Sequence, residues 1–401
     1  MPSYRVTARW IFPSNTEPIE NGTLEIQDSV VTDISAACDP EATALGNVAL
    51  IPALVNAHTH LEFSDLKSPL LPATPFDDWI RTLVAYRMSR ATNVKEIVAD
   101  GLRESHGSGV AAVGEIATDG WSAEPFAQTP LHSVIFREQI GLSEPRVSEQ
   151  LRIAREHLQQ PQISTRAIFG LSPHAPFSVH PDLFANLVDL AKQHSAPVAF
   201  HLAETRDELE LLEYGTGRLV QMMKSLGTWN ATAFRSGVRP LDYLQTLSKL
   251  DCALVIHGNY LDDEEIEFLA KHPQLTVVYC PRTHQFFEHS EHPWLRMLER
   301  GVSLALGTDG RGSNPDLSIW SELMFLRKKF PSVSPVRLLK LATSSGAKSL
   351  GLHDTCGQLR EGQPARFTVI ELNNDNSDAY AALFSESSAV QGFFVESNRQ
   401  V

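Results

Sequence analysis

Eight short apolar runs, spread between residues 47 and 309, constrain this chain more than any other feature. They are NVALIPALV, AAVGEIA, HSVIFREQ, RAIFGLS, PVAFHLAE, CALVIHGN, LTVVYCP and VSLALGTD. Each is apolar nearly throughout, as expected of a strand in a parallel sheet covered on both faces. Amphipathic stretches such as VKEIVADGLRESHGSG and PDLFANLVDLAKQHS fall between several of them. Eight strand-then-helix units predict an α/β fold built on a distorted (β/α)8 barrel of the TIM type.

The ends of the chain read differently. YRVTARWIF and GTLEIQDSVVTDI precede the barrel pattern, and ARFTVIEL and VQGFFVES follow it. These are β-type runs separated by turn-like segments. Chain termini often lie close together. The expectation is a small β-sandwich assembled from both termini, residues 1–50 with 350–401, beside a barrel over 51–349.

Hydrophobic residues make up 42% of the 401 and charged residues 20%, enough apolar material for a sizeable core. The net charge is -14 with no Lys/Arg-rich run, which argues against nucleic acid and anionic membranes as partners. No apolar run reaches the roughly 18 residues of a spanning helix. The start, MPSYRVTARWIFPSN, lacks the apolar core of a signal peptide. Cys38, Cys252, Cys280 and Cys356 form no C-x-x-C pair, so a reducing cytoplasm is expected rather than a disulfide framework. A C2 homodimer is the commonest assembly for an oligomeric soluble chain.

Barrels of this kind draw catalytic groups from the C-terminal ends of their strands. Here those ends are loaded with polar residues. The first run leads into His58 and His60, and the fourth into His174. The fifth leads into His201 and Glu204, and the sixth into His257. The seventh reaches Arg282 and His284, and the eighth Asp309. Any one histidine beside a buried strand is ordinarily a hydrogen-bonded core residue. Six strand ends with the same polarity are not explained that way.

His58, His60, His201 and Asp309 offer three imidazoles and one carboxylate. Nitrogen-rich ligation with one oxygen suits Zn(II) first and Fe(II) second, while calcium and magnesium prefer oxygen shells. No lysine stands in RAIFGLSPHAP to bridge two ions, so one divalent ion is expected. Such an ion lowers the pKa of water to roughly 7. Glu204, three residues beyond His201, is placed to shuttle a proton. His257 can orient the attacking water or stabilise developing charge, and Asp309 can accept a hydrogen bond from it. Glu62 in HLE either lines the pocket or caps the next helix. A serine elbow G-x-S-x-G is absent, as is the P-C-x-x-C half of the nucleobase deaminase signature.

Taken in order, NAHTH, HLAE, HGN and LGTDG resemble the amidohydrolase superfamily, in the branch of chlorohydrolases, guanine deaminase and adenosine-type deaminases. The resemblance spans the whole chain. It implies that His58, His60, His201 and Asp309 are metal ligands, Glu204 the proton shuttle and His257 a catalytic partner. SPHAPFSV is similar to a segment whose histidine contacts substrate, which assigns His174 that role. The helix after the first motif, WIRTLVAYRMSR, lacks the ribose-gripping glutamate of methylthioadenosine and S-adenosylhomocysteine deaminases. Together with CPRTHQFF it looks more like the sub-branch of aminodeoxyfutalosine deaminase, whose substrate carries a benzoate. On that resemblance Arg87 or Arg282 meets an acid group; otherwise Arg87 is a solvated helix residue and Arg282 a loop clamp.

The resemblance thus implies a metal-dependent hydrolytic deaminase of an aminated purine or adenosine derivative. Hydrolysis of a cyclic amide or a chlorinated heterocycle is the alternative, and a non-catalytic metal-binding barrel the remote one.

Overall fold

The computed structural model describes residues 4–37, 39–90 and 93–395. Cys38 lies outside them. The chain opens with β1 (Tyr4–Ile11), β2 (Ile19–Gln27), β3 (Val30–Ser35), β4 (Thr43–Ala44) and β5 (Val48–Pro52). Eight strands follow: β6 (Leu54–Thr59), β7 (Val110–Ala117), β8 (His132–Gln139), β9 (Ala167–Pro173), β10 (Val198–Leu202), β11 (Ala253–His257), β12 (Leu275–Tyr279) and β13 (Ser303–Leu306). β14 (Arg366–Glu371) and β15 (Ala389–Val395) close the described chain.

The small β domain is one hydrogen-bonded sheet of order β15-β14-β5-β1-β2-β3, with β4 beside β1. Its strands come from both ends of the chain, and β14 returns antiparallel to β5, with Leu50 opposite Val369. Val6, Leu24, Ile26, Leu50 and Phe367 give it a core of its own. One expectation needs correcting. NVALIPALV is not a single barrel strand. Its first half is β5 in the small sheet, its second half is β6 in the barrel, and the change of sheet falls at Ala53. A boundary at residue 50 therefore cuts through β5. Both halves are fully buried, so hydrophobicity alone carries no sign of the switch.

β6 to β13 form one sheet in chain order, parallel throughout. Val55, Ala57, Phe136, Leu254 and Ile256 fill its interior, and Ala347, Leu350 and Leu352 pack against them. The outer face packs on helices. Leu183, Leu187 and Leu190 of the helix Pro181–Gln193 recur at helical spacing and are buried there. Each such side chain contributes roughly 1.5–3 kcal/mol by leaving water.

Among the described residues β13 and β6 share no regular ladder. The seam closes just beyond them, where the N–H groups of Thr308 and Asp309 both donate to the His58 carbonyl at 3.1 Å. Asn56 Nδ2 donates to Thr308 Oγ1 at 2.8 Å, and Thr308 N–H donates to Asn56 Oδ1 at 3.1 Å. Glycine permits this approach. A Cβ on Gly307 would lie 2.9 Å from the His58 carbonyl, and one on Gly310 3.0 Å from the His60 Cβ. No helix among the described residues is long and apolar enough to cross a membrane.

Candidate active site

Strand alternation alone does not bring these side chains together. Val55 and Ala57 belong to the apolar interior, so strict alternation would turn His58 away from it. The β6–β7 ladder slips between Asn56 and Thr59, and with His58 inside the slip and His60 just past it the two rings face the same cluster. Leu254 and Ile256 likewise point inward, which would turn His257 out. His257 instead adopts φ +68°. Asp309 and Ala203, the latter between His201 and Glu204, also have left-handed φ, at +58° and +53°. Non-glycine residues hold that conformation only where the surroundings enforce it.

The outcome is a tight group. His60 Nε2 lies 3.4 Å from His201 Nε2. Asp309 Oδ1 lies 3.7 Å from His58 Nε2 and 3.6 Å from His60 Nε2. Donor atoms of His58, His60 and Asp309, and of His58, His201 and His257, fall within 4.8 Å of one another. His201 Nδ1–H donates to the His174 carbonyl at 2.8 Å, which leaves the Nε2 lone pair facing the cluster.

These residues fit a metal ion. Both ring nitrogens of His58 and Nδ1 of His60 are buried without a hydrogen-bond partner, an arrangement that is costly unless something satisfies them. Burial first, and then the neighbouring His58, hold His60 and His201 well below the ordinary imidazole pKa. Both rings are therefore neutral and able to ligate. Burial would raise the pKa of Asp309, but the facing imidazoles outweigh it and keep the carboxyl ionised. Gly310 N–H and Ser313 Oγ donate to its two oxygens at 2.8 and 2.9 Å.

Glu204 Oε1 stands 3.5 Å from His257 Nε2. Burial, with Asp309 and Glu208 adding, pushes the Glu204 carboxyl well above its usual range. His257 is lowered to about 3, chiefly by burial. A carboxyl that burial pushes toward its protonated form thus faces a neutral imidazole. Above them opens a cavity of about 580 Å³ whose floor includes His60, His201, Glu204, His257 and Asp309. Its apolar wall comes from two helices. Phe76, Trp79 and Leu83 line one face of Phe76–Ser89, and Met222 and Met223 come from Arg218–Ser225. Arg218 Nε donates to Asp77 at 2.7 Å and ties the two helices together.

His174 lines this cavity, its Nδ1 2.6 Å from Ser178 Oγ. Arg87 also lines it, but Arg87 Nη2 donates to Glu62 at 2.5 Å. Two expected substrate contacts lie elsewhere. Glu62 neither lines the main cavity nor caps a helix: its carboxylate is taken by Arg87 and by Arg90, the latter at 2.9 Å. Arg282 is absent from the lining too. Its Nε donates to Glu322 at 2.7 Å, and Nη1 and Nη2 donate to Asp316 at 2.9 and 2.6 Å. Glu322 also accepts from Asn314, which donates to the Thr308 carbonyl at 2.7 Å. Arg282 is therefore a clamp on the loop that carries Asp309. The next helix, Ile319–Lys329, is capped by Ser318, which accepts from Ser321 N–H.

Three buried acids were not anticipated. Glu115 accepts from the N–H of Leu61, just after His60, at 3.0 Å. Glu208 accepts from the N–H groups of Ala203 and Glu204 at 2.7 and 3.2 Å and so holds that loop. A signal for Glu208 was present: Thr205-Arg206-Asp207-Glu208 has the spacing of a capping box, and Thr205 does cap the helix. Glu138 lines the cavity from the end of β8.

Residues 49–398 match the amidohydrolase family. The chain belongs to the amidohydrolase family. It is a metal-binding hydrolase acting on C–N bonds. Over 352 residues it is 24% identical to a 5-methylthioadenosine/S-adenosylhomocysteine deaminase of Carboxydothermus hydrogenoformans, covering 82% of this chain and 74% of the relative. Over 316 residues it is 28% identical to an aminodeoxyfutalosine deaminase of Deinococcus radiodurans, covering 75% and 73%. Its fold is that of the Helicobacter pylori aminofutalosine deaminase crystallised with methylthio-coformycin: TM-score 0.86 at 22% identity, covering 99% of this chain and all of the other.

Proposed function

We propose that this protein is a metal-dependent aminohydrolase of an aminated purine carried on a nucleoside-like substrate, with an aminodeoxyfutalosine-type compound as the leading candidate. One observation carries the proposal: three imidazoles and a carboxylate converge beside a buried glutamate, its carboxyl pushed upward by burial, at the floor of an apolar cavity. Relatives bearing the names of adenosine-type deaminases support it. In this reading His58, His60, His201 and Asp309 hold one divalent ion, Zn(II) before Fe(II) on the chemistry of the donors. When bound, the ion supplies Lewis-acid activation of water.

The chain's own groups do the rest. Glu204 begins protonated and delivers its proton to a ring nitrogen as water adds to the amino-bearing carbon. As a carboxylate it then relays one proton of the added water to the departing amino group and finally recovers the other, which restores its protonated form. Ammonia leaves, and the ring keeps the oxygen. His257, neutral and 3.5 Å from Glu204, steadies the attacking oxygen, and Asp309 accepts its hydrogen bond. The apolar wall excludes bulk water and strengthens each of these interactions. His174, at the edge of the floor, meets the ring or its substituent.

The test is ammonia release by Zn(II)- and Fe(II)-reconstituted enzyme over adenosine, 5′-methylthioadenosine, S-adenosylhomocysteine, guanine and aminodeoxyfutalosine. Turnover of at least one purine is expected. A flat response across the panel, with both metals, would reject purine deamination; dechlorination or ring opening releases no ammonia directly.

A further inference from the structure

Glu138 is the penultimate residue of β8, 6% exposed, and it lines the main cavity. No hydrogen-bond donor among the described residues reaches its carboxylate; Arg137 Nη1 donates instead to its backbone carbonyl, at 3.2 Å. Its oxygens are not among the buried polar atoms sealed off without a partner, and the residue stands between the main cavity and a smaller one lined by Arg87, Arg90 and Arg137. Arg87 does not fill the gap. Its Nη2 is committed to Glu62, and its Nε is buried without a partner. Burial pushes the Glu138 carboxyl up to about 7 against the pull of Arg87.

A buried acceptor pair left without donors is costly. Natural chains keep one mainly where a ligand completes it. The ligand's chemistry follows from the surroundings. Arg87 and Arg137 pull on Glu138 while Glu62 and Asp119 push against it, so its neighbours set up no strong net charge for an ionic ligand group to answer. Two oxygens with free lone pairs suit two adjacent neutral O–H donors. The position agrees. His174 N–H donates to the carbonyl of Gln139, the neighbour of Glu138, at 3.1 Å. The His174 ring lies 5.1 Å from that of His201. A substrate whose ring sits on the imidazole floor and whose substituent runs past His174 would meet Glu138, since both residues line the same cavity.

We propose that Glu138 is a specificity-determining residue that accepts hydrogen bonds from a vicinal hydroxyl pair on the substrate, the cis-diol of a ribose-like ring. The inference rests on the purine-nucleoside reading above. It gives a strand-borne acid a task for which the helix segment WIRTLVAYRMSR offers none.

The experiment measures kcat/KM of the zinc-loaded enzyme on 5′-methylthioadenosine and on its 2′,3′-dideoxy counterpart, for wild type, E138Q and E138L. Wild type should prefer the diol by at least about 100-fold, since a site built to bond hydroxyls rejects analogues lacking them. E138L should lose roughly that factor on the diol and nothing on the dideoxy compound. E138Q, nearly isosteric, should lose about tenfold on the diol alone, and it keeps the test open if E138L fails to fold. Equal losses on both compounds, or no preference in wild type, would overturn the assignment. If wild type deaminates adenine or guanine but neither nucleoside, the role of Glu138 falls and purine deamination stands. If it releases ammonia from no purine at all, the functional reading itself has failed.

Discussion

Replacing Arg282 by alanine separates a clamp from a substrate contact. The clamp joins two acids of different worth. Glu322 is fully buried, and the Arg282 side chain is 14% exposed. Removing one partner of such a pair leaves a stranded charge and costs about 3–5 kcal/mol. Asp316 is 38% exposed, and its pair contributes no more than about 1 kcal/mol. R282A should therefore lose about 3–5 kcal/mol, nearly all of it through Glu322. With an unfolding entropy of roughly 2.1 cal/mol/K per residue, a chain of this length should show a fall in Tm of about 4–6 °C. The assay is thermal unfolding of the metal-loaded protein, paired with kcat/KM on a neutral and an acidic adenosine derivative. Both substrates should suffer alike, because the damage passes through Asn314 and Thr308 to the loop bearing Asp309. R282M/E322Q should recover at least half the lost Tm, since the neutral amide is no longer a stranded charge. An unchanged Tm in R282A with a KM raised only for the acidic substrate would refute the clamp and restore Arg282 as a substrate contact.

Other perturbations test the remaining parts of the site. E204Q should lower kcat about 10²–10⁴-fold with metal content and Tm unchanged, as measured by elemental analysis and calorimetry; loss of metal would make Glu204 a ligand instead. G307A places a Cβ 2.9 Å from the His58 carbonyl, which should cost about 1–3 kcal/mol and lower metal occupancy at limiting zinc; full occupancy would show that the seam tolerates the crowding. Glu208 is raised by burial to about 7 from 4.5, so its contribution to stability is fully present below about 4.5 and is lost as pH rises through 7. The urea-derived stability of E208Q relative to wild type should accordingly improve by on the order of 3 kcal/mol between pH 4.5 and pH 8; a difference independent of pH would contradict the shift.

What was legible in the sequence, and what was not, divides along a physical line. The barrel showed because strands covered on both faces must be apolar throughout, and its site showed because polar residues at so many strand ends have no core explanation. Side-chain direction did not show. Alternation assigns His58 and His257 to the wrong face; a slipped ladder at Asn56–Thr59 and a left-handed φ at His257 bring them back. Neither device leaves a mark in composition or period. The switch of sheets at Ala53 was hidden for the same reason, since both halves of NVALIPALV are equally buried.

The acids and arginines mark the other limit. A charged residue near a site becomes a ligand contact or a clamp according to where its partner stands. The partners of Arg282 are 34 and 40 positions later in the chain, and those of Glu62 are 25 and 28 positions later. Glu138 is the converse: nothing within the described chain pairs with its carboxylate, which is the property that marks it. Charges that find partners inside the fold become scaffold. On the role proposed above Glu138 is left for the substrate, and such a difference exists only once the chain has closed around it.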